Sequence, residues 1–355
     1  MLILSGPIGG TGHERAGHPE RPGRIDAAMR GVDDLHLGDD LVVVRSRAAD
    51  RAELERVHSA SYLDRLAEFC SDGGGDLDPD TYASGDSWTI ARYAAGGGLA
   101  AIERLRQQGD GVAFVVARPP GHHALRDRAM GFCLLNNVAV AAAALVGQGE
   151  RVLIVDWDVH HGNGTQAIFW DDPDVLYVST HEWPLYPGTG AASEVGGHDA
   201  VGSTVNVPVP AGATGDVVRR AFDDVVAPVV EEFSPTWVLV SAGFDAHRDD
   251  RIADLKLASG DFADLARTVA GYAPQPGRLA LFLEGGYDLG ALRASVAATL
   301  GALLESPYRA ELPTSGGPGT EAVRVAEAER TQALRMALWG STPGAPTHHG
   351  PPSAT

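Results

Sequence analysis

Residues Val152-Leu153-Ile154-Val155-Asp156-Trp157-Asp158-Val159-His160-His161-Gly162-Asn163-Gly164 run an unbroken aliphatic stretch straight into a cluster of carboxylates and imidazoles. With Gly149 before it and Gly162 and Gly164 after it, the apolar run reads as a strand buried on both faces that empties into a loop. The polar chemistry then sits at the strand's carboxyl end. In extended backbone, side chains two apart share a side, so Asp156, Asp158 and His160 converge if strand geometry persists. Carboxylate oxygen and imidazole nitrogen together suit a borderline divalent ion such as zinc, provided another segment supplies one or two more ligands. A lone Asp-x-His is more often an ordinary polar loop, so other parts of the chain must decide.

The same pattern recurs. Residues 112–116 form an apolar strand running into Arg118-Pro119-Pro120-Gly121-His122-His123-Ala124, where the prolines stop the strand and Gly121 permits a tight turn. Residues 237–240 lead to Ser241-Ala242-Gly243-Phe244-Asp245, and residues 279–283 lead to Glu284-Gly285-Gly286-Tyr287. Further strands are expected at 2–4, 41–44, 175–179 and 204–207, and helices at 53–69, 87–108, 136–147, 215–233, 289–304 and 321–338. Strands alternating with helices predict a single α/β domain with a mainly parallel central sheet flanked by helices. In such sheets ligands bind at the carboxyl edge of the strands. The triplet Gly96-Gly97-Gly98 inside a helix points to close packing, and Gly73 to Asp80 reads as a flexible acidic loop without a P-loop continuation. His13 and His18 lie in a polar loop and are read either as solvated or as substrate-side residues.

A net charge of -19 argues against a broad electrostatic grip on nucleic acid or anionic membrane. Two cysteines, Cys70 and Cys133, imply neither a disulfide framework nor a cysteine zinc knuckle. Neither a signal peptide nor a membrane-length apolar run is read, which makes a cytoplasmic protein the expectation. The domain division expected is a catalytic unit over 1–310, a helical extension over 311–340 that lies on the domain or forms a homo-oligomer contact, and a disordered tail over 341–355 whose His348 and His349 are not ligands.

Six segments in order resemble the zinc-dependent histone deacetylase superfamily, which also contains acetylpolyamine amidohydrolases: 118–124, Gly131-Phe132-Cys133, 156–164, Tyr186-Pro187-Gly188-Thr189-Gly190, 242–245 and 284–287. The six segments run from residue 118 to residue 287 within a resemblance that covers roughly residues 18 to 290, and the forms at 118–124 and 242–247 look like the class II branch. The resemblance implies the arginase/deacetylase fold and one catalytic zinc held by Asp158, His160 and Asp245. It implies His123 as general base and acid, His122 beside it oriented by Asp156, Asn163 orienting His123, and Tyr287 donating to the oxyanion. It implies a substrate tunnel at Gly131, Phe132, Tyr186 and Ile252. It also implies a structural potassium ion on oxygens of Asp156, Asp158, His160, Ser179 and Thr180.

Two departures bear on chemistry. Asn163 stands where class I relatives carry aspartate; a neutral amide stabilises the His123 cation less, which lowers its pKa and favours a base. Ile252 stands where polyamine-selective relatives place a glutamate, so the expected substrate is an acylated lysine, or a small acylated amine, with Asp249 and Asp250 nearby as alternative acids. An arginase-like two-manganese hydrolase needs additional bridging carboxylates, where this chain has Gly162 and Asn163, and it gives Tyr287 no role. A silent acyl-lysine binder is disfavoured because no residue of the catalytic set is missing.

Overall fold

The computed structural model describes residues 1–9, 11–308 and 311–340; the tail expected over 341–355, with His348 and His349, lies outside the described residues. Among the described residues ten strands are present: β1 Leu2–Ile8, β2 Leu41–Val44, β3 Gly74–Asp76, β4 Tyr82–Ser84, β5 Val112–Ala117, β6 Val152–Asp156, β7 Val175–Glu182, β8 Thr204–Val209, β9 Trp237–Ala242 and β10 Leu279–Leu283. Eight of them make one sheet in the order β2-β1-β5-β10-β9-β6-β7-β8. Every pairing in it is parallel, as continuous apolar strands buried on two faces require. The expected fold class therefore holds.

Alternation in β6 divides the core. Leu153 and Val155 enter the larger cluster on one face of the sheet, and Val152 and Ile154 enter the second cluster on the other. The glycine triplet behaves as the packing argument requires: the helix Ser87–Gln108 runs through it unbroken, and a Cβ on Gly96 would strike the backbone of Arg47 and Ala49.

Several boundaries differ from the sequence expectation. The helix expected over 53–69 is two helices, Arg51–Glu55 and Ala60–Ser71. Asp50 caps the first through a reciprocal bond with Glu53, and the Ser59 hydroxyl caps the second, so two start signals lie within one periodic stretch. The acidic loop over 73–80 carries β3, which pairs antiparallel with β4. The helix Ser259–Ala270 carries Phe262 and Leu265 into the core and was not read from the sequence.

The last helix, Thr320–Gly340, lies against β8, with Val323 and Ala326 buried in the core. Arg330 on it donates to the carbonyls of Thr204, at 2.7 Å, and Gly202, at 3.0 Å. No helix among the described residues is long and apolar enough to cross a membrane.

The four strands at the centre, β5, β10, β9 and β6, are neighbours. Each ends in one of the polar segments singled out in the sequence, so residues up to 169 positions apart in the chain meet along one edge, from Arg118 to Tyr287. Successive strands are added in one direction from β6 through β8 and in the other from β9 to β10, and a parallel sheet opens its ligand crevice where strand order switches in this way.

Candidate metal centre and active site

Asp158 and His160 follow β6, and Asp245 follows β9, the strand paired with it. Ligand atoms of these three buried residues lie within 4.8 Å of one another. The backbone orients each carboxylate. Asp158 Oδ2 accepts from the Gly285 N–H at 2.8 Å and Asp158 Oδ1 from the His160 N–H at 2.9 Å, while Asp245 Oδ1 accepts from the Val159 N–H at 3.0 Å. Asp245 Oδ2 is left buried without a hydrogen-bond partner. An orphaned carboxylate oxygen of this kind is costly unless a cation meets it. His160 Nδ1 faces both acids, 3.1 Å from Asp158 Oδ1 and 3.4 Å from Asp245 Oδ2.

The electrostatics agree with a cation site. Burial pulls the His160 imidazole down, but Asp158 and Asp245 outweigh it and hold its pKa at about 10. Burial, and then the charge of Asp158, pushes Asp245 up to about 6. Two carboxylates this close demand a positive charge between them, which is a proton on His160 or, in its place, a metal ion. Two carboxylates and one imidazole form a three-ligand donor set, which leaves a tetrahedral ion one open position. The residues therefore fit a zinc-like ion.

Next to the triad lie the paired histidines of the loop after β5, their rings 4.0 Å apart. His122 Nδ1 donates to Asp156 Oδ2 at 3.0 Å, and the Tyr177 hydroxyl donates to the same oxygen at 3.2 Å. Burial works against the His122 cation, but Asp156 and Asp158 prevail and raise it to about 10. His123 behaves oppositely. Burial, then the neighbouring His122 and His160, keeps it well below the ordinary histidine value, so it is neutral. Its Nδ1 lies 2.8 Å from Asn163 Oδ1. Because Asn163 Nδ2 donates to the Met130 sulfur at 3.4 Å, its oxygen is the end facing His123, which fixes the proton on Nδ1 and leaves Nε2 as the free base.

Asn163→Asp tests this arrangement. A carboxylate 2.8 Å from Nδ1 stabilises the imidazolium and raises the pKa of His123. The base is then protonated at higher pH, so the acid limb of kcat/KM moves upward and the rate near pH 6 falls. An acid limb that stays in place removes Asn163 from this role.

The expected aromatic walls come together around the same space. Phe132 meets Tyr287 edge to face at 5.8 Å, and Tyr186 stands perpendicular to His123 at 5.2 Å and to His160 at 6.2 Å. Gly131, at φ +55, has no room for a side chain because a Cβ would collide with the His123 ring. His18 also belongs here, since it packs edge-on against Phe132 at 4.6 Å. His13 is instead buried on Ser87, at 2.6 Å, beneath this surface. Ile252 is not drawn into the ring contacts; half-buried, it packs against the larger core cluster.

Asp249 stays in the solvent, whereas Asp250 is committed elsewhere. Its Oδ2 accepts from the Tyr287 N–H at 2.5 Å and the Asp288 N–H at 3.0 Å, and Oδ1 from the Ile252 N–H at 3.2 Å. Asp250 therefore ties the Tyr287 loop to the loop carrying Asp245, and is not free to meet a substrate amine. Of the oxygens assigned to potassium, those of Asp156 and Ser179 are adjacent by strand register, and the Ser179 hydroxyl bonds His181 Nδ1 at 2.9 Å.

Arg24 was not read from the sequence. Fully buried, it donates to the carbonyls of Gly286, at 2.6 Å, and Glu284, and its guanidinium carbon lies 4.8 Å from the Tyr287 ring centre. Glu20 accepts from Arg24 at 3.1 Å and from Arg118 at 2.6 Å. In sequence Glu20 belongs to the polar loop of His13 and His18, ahead of a helix starting near Gly23, and nothing there signals a buried cluster.

Residues 18–303 match the histone deacetylase domain family. The chloroplastic histone deacetylase 10 of Oryza sativa subsp. japonica is 37% identical over 332 residues, covering 86% of this chain and 74% of that protein. A probable deacetylase of Archaeoglobus fulgidus is 39% identical over 277 residues, covering 77% of each. The crystal structure of the HDA15 HD domain superposes with a TM-score of 0.85 at 33% identity, covering 95% of this chain and 97% of that one. The chain belongs to the histone deacetylase family.

Proposed function

We propose that the protein is a zinc-dependent amidohydrolase that removes acetyl or related acyl groups from acylated amines, with N-ε-acyl-lysine in proteins or peptides as substrate class. The observation that carries this reading is the orphaned Asp245 Oδ2 facing His160, beside a neutral His123 whose Nδ1 is already bonded. Asp158, His160 and Asp245 would hold the ion. Zinc there supplies Lewis acidity toward the amide carbonyl and makes water acidic enough to attack near neutral pH.

The chain's own groups do the rest. His123 Nε2 takes a proton from the attacking water and returns one to the leaving amine, a role that a neutral imidazole fills. His122, held cationic by Asp156, contributes fixed positive charge beside the developing oxyanion. Tyr287 stays protonated, because burial raises its hydroxyl well above the usual phenol value although Arg24 opposes this. It therefore donates a hydrogen bond to the oxyanion and never competes as an anion. Phe132 and Tyr186 offer apolar walls to a methylene stem. The structural potassium ion on Asp156, Asp158, His160, Ser179 and Thr180 and a cytoplasmic setting belong to the same proposal.

A parallel kinetic panel of zinc-loaded enzyme on acetyl-lysine peptides and acetylpolyamines tests the substrate class. With Ile252 neutral and Asp250 committed to backbone, a distal ammonium gains nothing, so the peptides should win in kcat/KM by about tenfold or more. A preference for polyamines would overturn the substrate assignment, and absence of turnover on both would overturn the enzymatic one.

A further inference from the structure

Glu284 is a fully buried carboxylate that none of the steps above uses. It follows β10 directly, between the carboxyl ends of β5 and β9. Its Oε2 accepts from the N–H groups of both Gly121, at 2.6 Å, and His122, at 3.1 Å, and its Oε1 lies 3.5 Å from the Ser241 hydroxyl. One side chain thus joins the ends of three strands.

Other groups hold the carbonyls of this loop, the Ala124 N–H bonding the Gly121 carbonyl at 3.0 Å and the Thr165 N–H the His122 carbonyl at 3.1 Å, so what Glu284 supplies is an acceptor for its N–H groups. The ladder between β5 and β10 ends with Phe282 opposite Val115, and Pro119 and Pro120 carry no N–H. Gly121 and His122 are therefore the first donors after the prolines, buried where no strand can accept from them. From the opposite side, Asn137 Nδ2 donates to the Pro119 carbonyl at 3.1 Å, and a Cβ on Gly121 would meet the Asn137 backbone. The turn is gripped between Asn137 and Glu284, and His122 and His123 are its next residues. An ionised acceptor makes shorter and stronger hydrogen bonds than a neutral one.

We infer that Glu284 is a positioning residue, whose carboxylate fixes the backbone of Gly121 and His122 and thereby the placement of the His122 and His123 rings at the reacting amide. The inference rests on the hydrolytic reading above for its consequence in rate, but not for its consequence in structure. Burial pushes the carboxyl up to about 7, while the His122 charge and the two N–H groups favour the ionised form.

The test compares wild type, Glu284→Gln and Glu284→Ala, all zinc-loaded, by kcat, KM, melting temperature and hydrogen exchange of the Gly121 and His122 amides. Glu284→Gln keeps the shape and loses the charge. We expect kcat about tenfold lower, KM within about twofold, faster exchange at those two amides and little change in melting; Glu284→Ala should extend each effect to about a hundredfold in kcat, the scale of losing an orienting partner. A merely structural role would lower the melting temperature and leave kcat per folded molecule in place. If both variants keep wild-type kcat, or if the two amides exchange at the wild-type rate in Glu284→Gln, the inference fails. Should Glu284→Ala not fold, Glu284→Gln decides alone. A wild type that turns over no acyl-amine would defeat the functional reading, and the exchange rates would still decide the role of Glu284.

Discussion

Asp245→Asn is expected to abolish stoichiometric zinc binding and to lower kcat/KM by at least about a thousandfold, because metal polarisation supplies several kcal/mol and each 1.36 kcal/mol is tenfold in rate. The substitution is chosen for what it leaves intact. The amide oxygen can still accept from the Val159 N–H, now 3.0 Å from Asp245 Oδ1, so the loop after β9 keeps its anchor. What disappears is the charge on the orphaned Oδ2.

Stability then separates loss of metal from loss of fold. Burial and Asp158 raise Asp245 to about 6, so in the metal-free protein its ionisation costs stability as pH rises from the ordinary carboxylate value through about 6. Asparagine removes that cost. The metal-free variant should be at least as stable as metal-free wild type at pH 7, with a flatter stability profile between pH 4 and 6. Wild type should gain about 2.7 kcal/mol at free zinc one hundred times its Kd, and the variant should gain nothing. Metal analysis, melting with and without zinc, and kcat/KM measure these three outcomes; a variant that still melts higher with zinc would remove Asp245 from the ligand set.

How far the sequence could be read follows from what each residue contributes locally. The central strands are legible because residues 152–155 and Leu279–Leu283 are apolar throughout, as a strand covered on both faces needs. The site is legible where its residues sit in short polar segments directly after such strands, as Asp158, His160, Asp245 and the two histidines do. It fades where a residue acts through distance in the fold. Arg24 looks like a surface charge in sequence, and Glu284, though it stands in the polar segment after β10, carries no sign there of the N–H groups it binds; only the packing shows both. Asp250 shows the converse: adjacency in sequence made it a candidate for substrate charge, while its hydrogen bonds commit it to the backbone of Tyr287. Tyr177 gives no polar signal at all, because in the pattern of β7 it is one more bulky strand residue, yet its hydroxyl shares Asp156 with His122.

Tyr287→Phe should lower kcat by about 10²–10³ while leaving KM within about threefold, the signature of a donor that acts on the transition state and not on the bound substrate. The ring itself has its own supports. Phe132 packs against it edge to face at 5.8 Å, the Arg24 guanidinium lies 4.8 Å from its centre, and Asp250 holds the backbone N–H. Phenylalanine keeps all three contacts, so melting with zinc bound should change little. The pH profile adds a discriminating reading. Since burial keeps the tyrosine hydroxyl well above its usual value, its ionisation lies beyond the alkaline limb, and the limbs of Tyr287→Phe should fall where those of wild type fall. A variant with an alkaline limb moved upward would instead mean that the phenol titrates within the working range, and that Arg24 outweighs burial in setting its charge. Unchanged kcat would assign the oxyanion to His122 and the metal alone. The expected pattern, a lower plateau with unmoved limbs, distinguishes a fixed neutral donor from both.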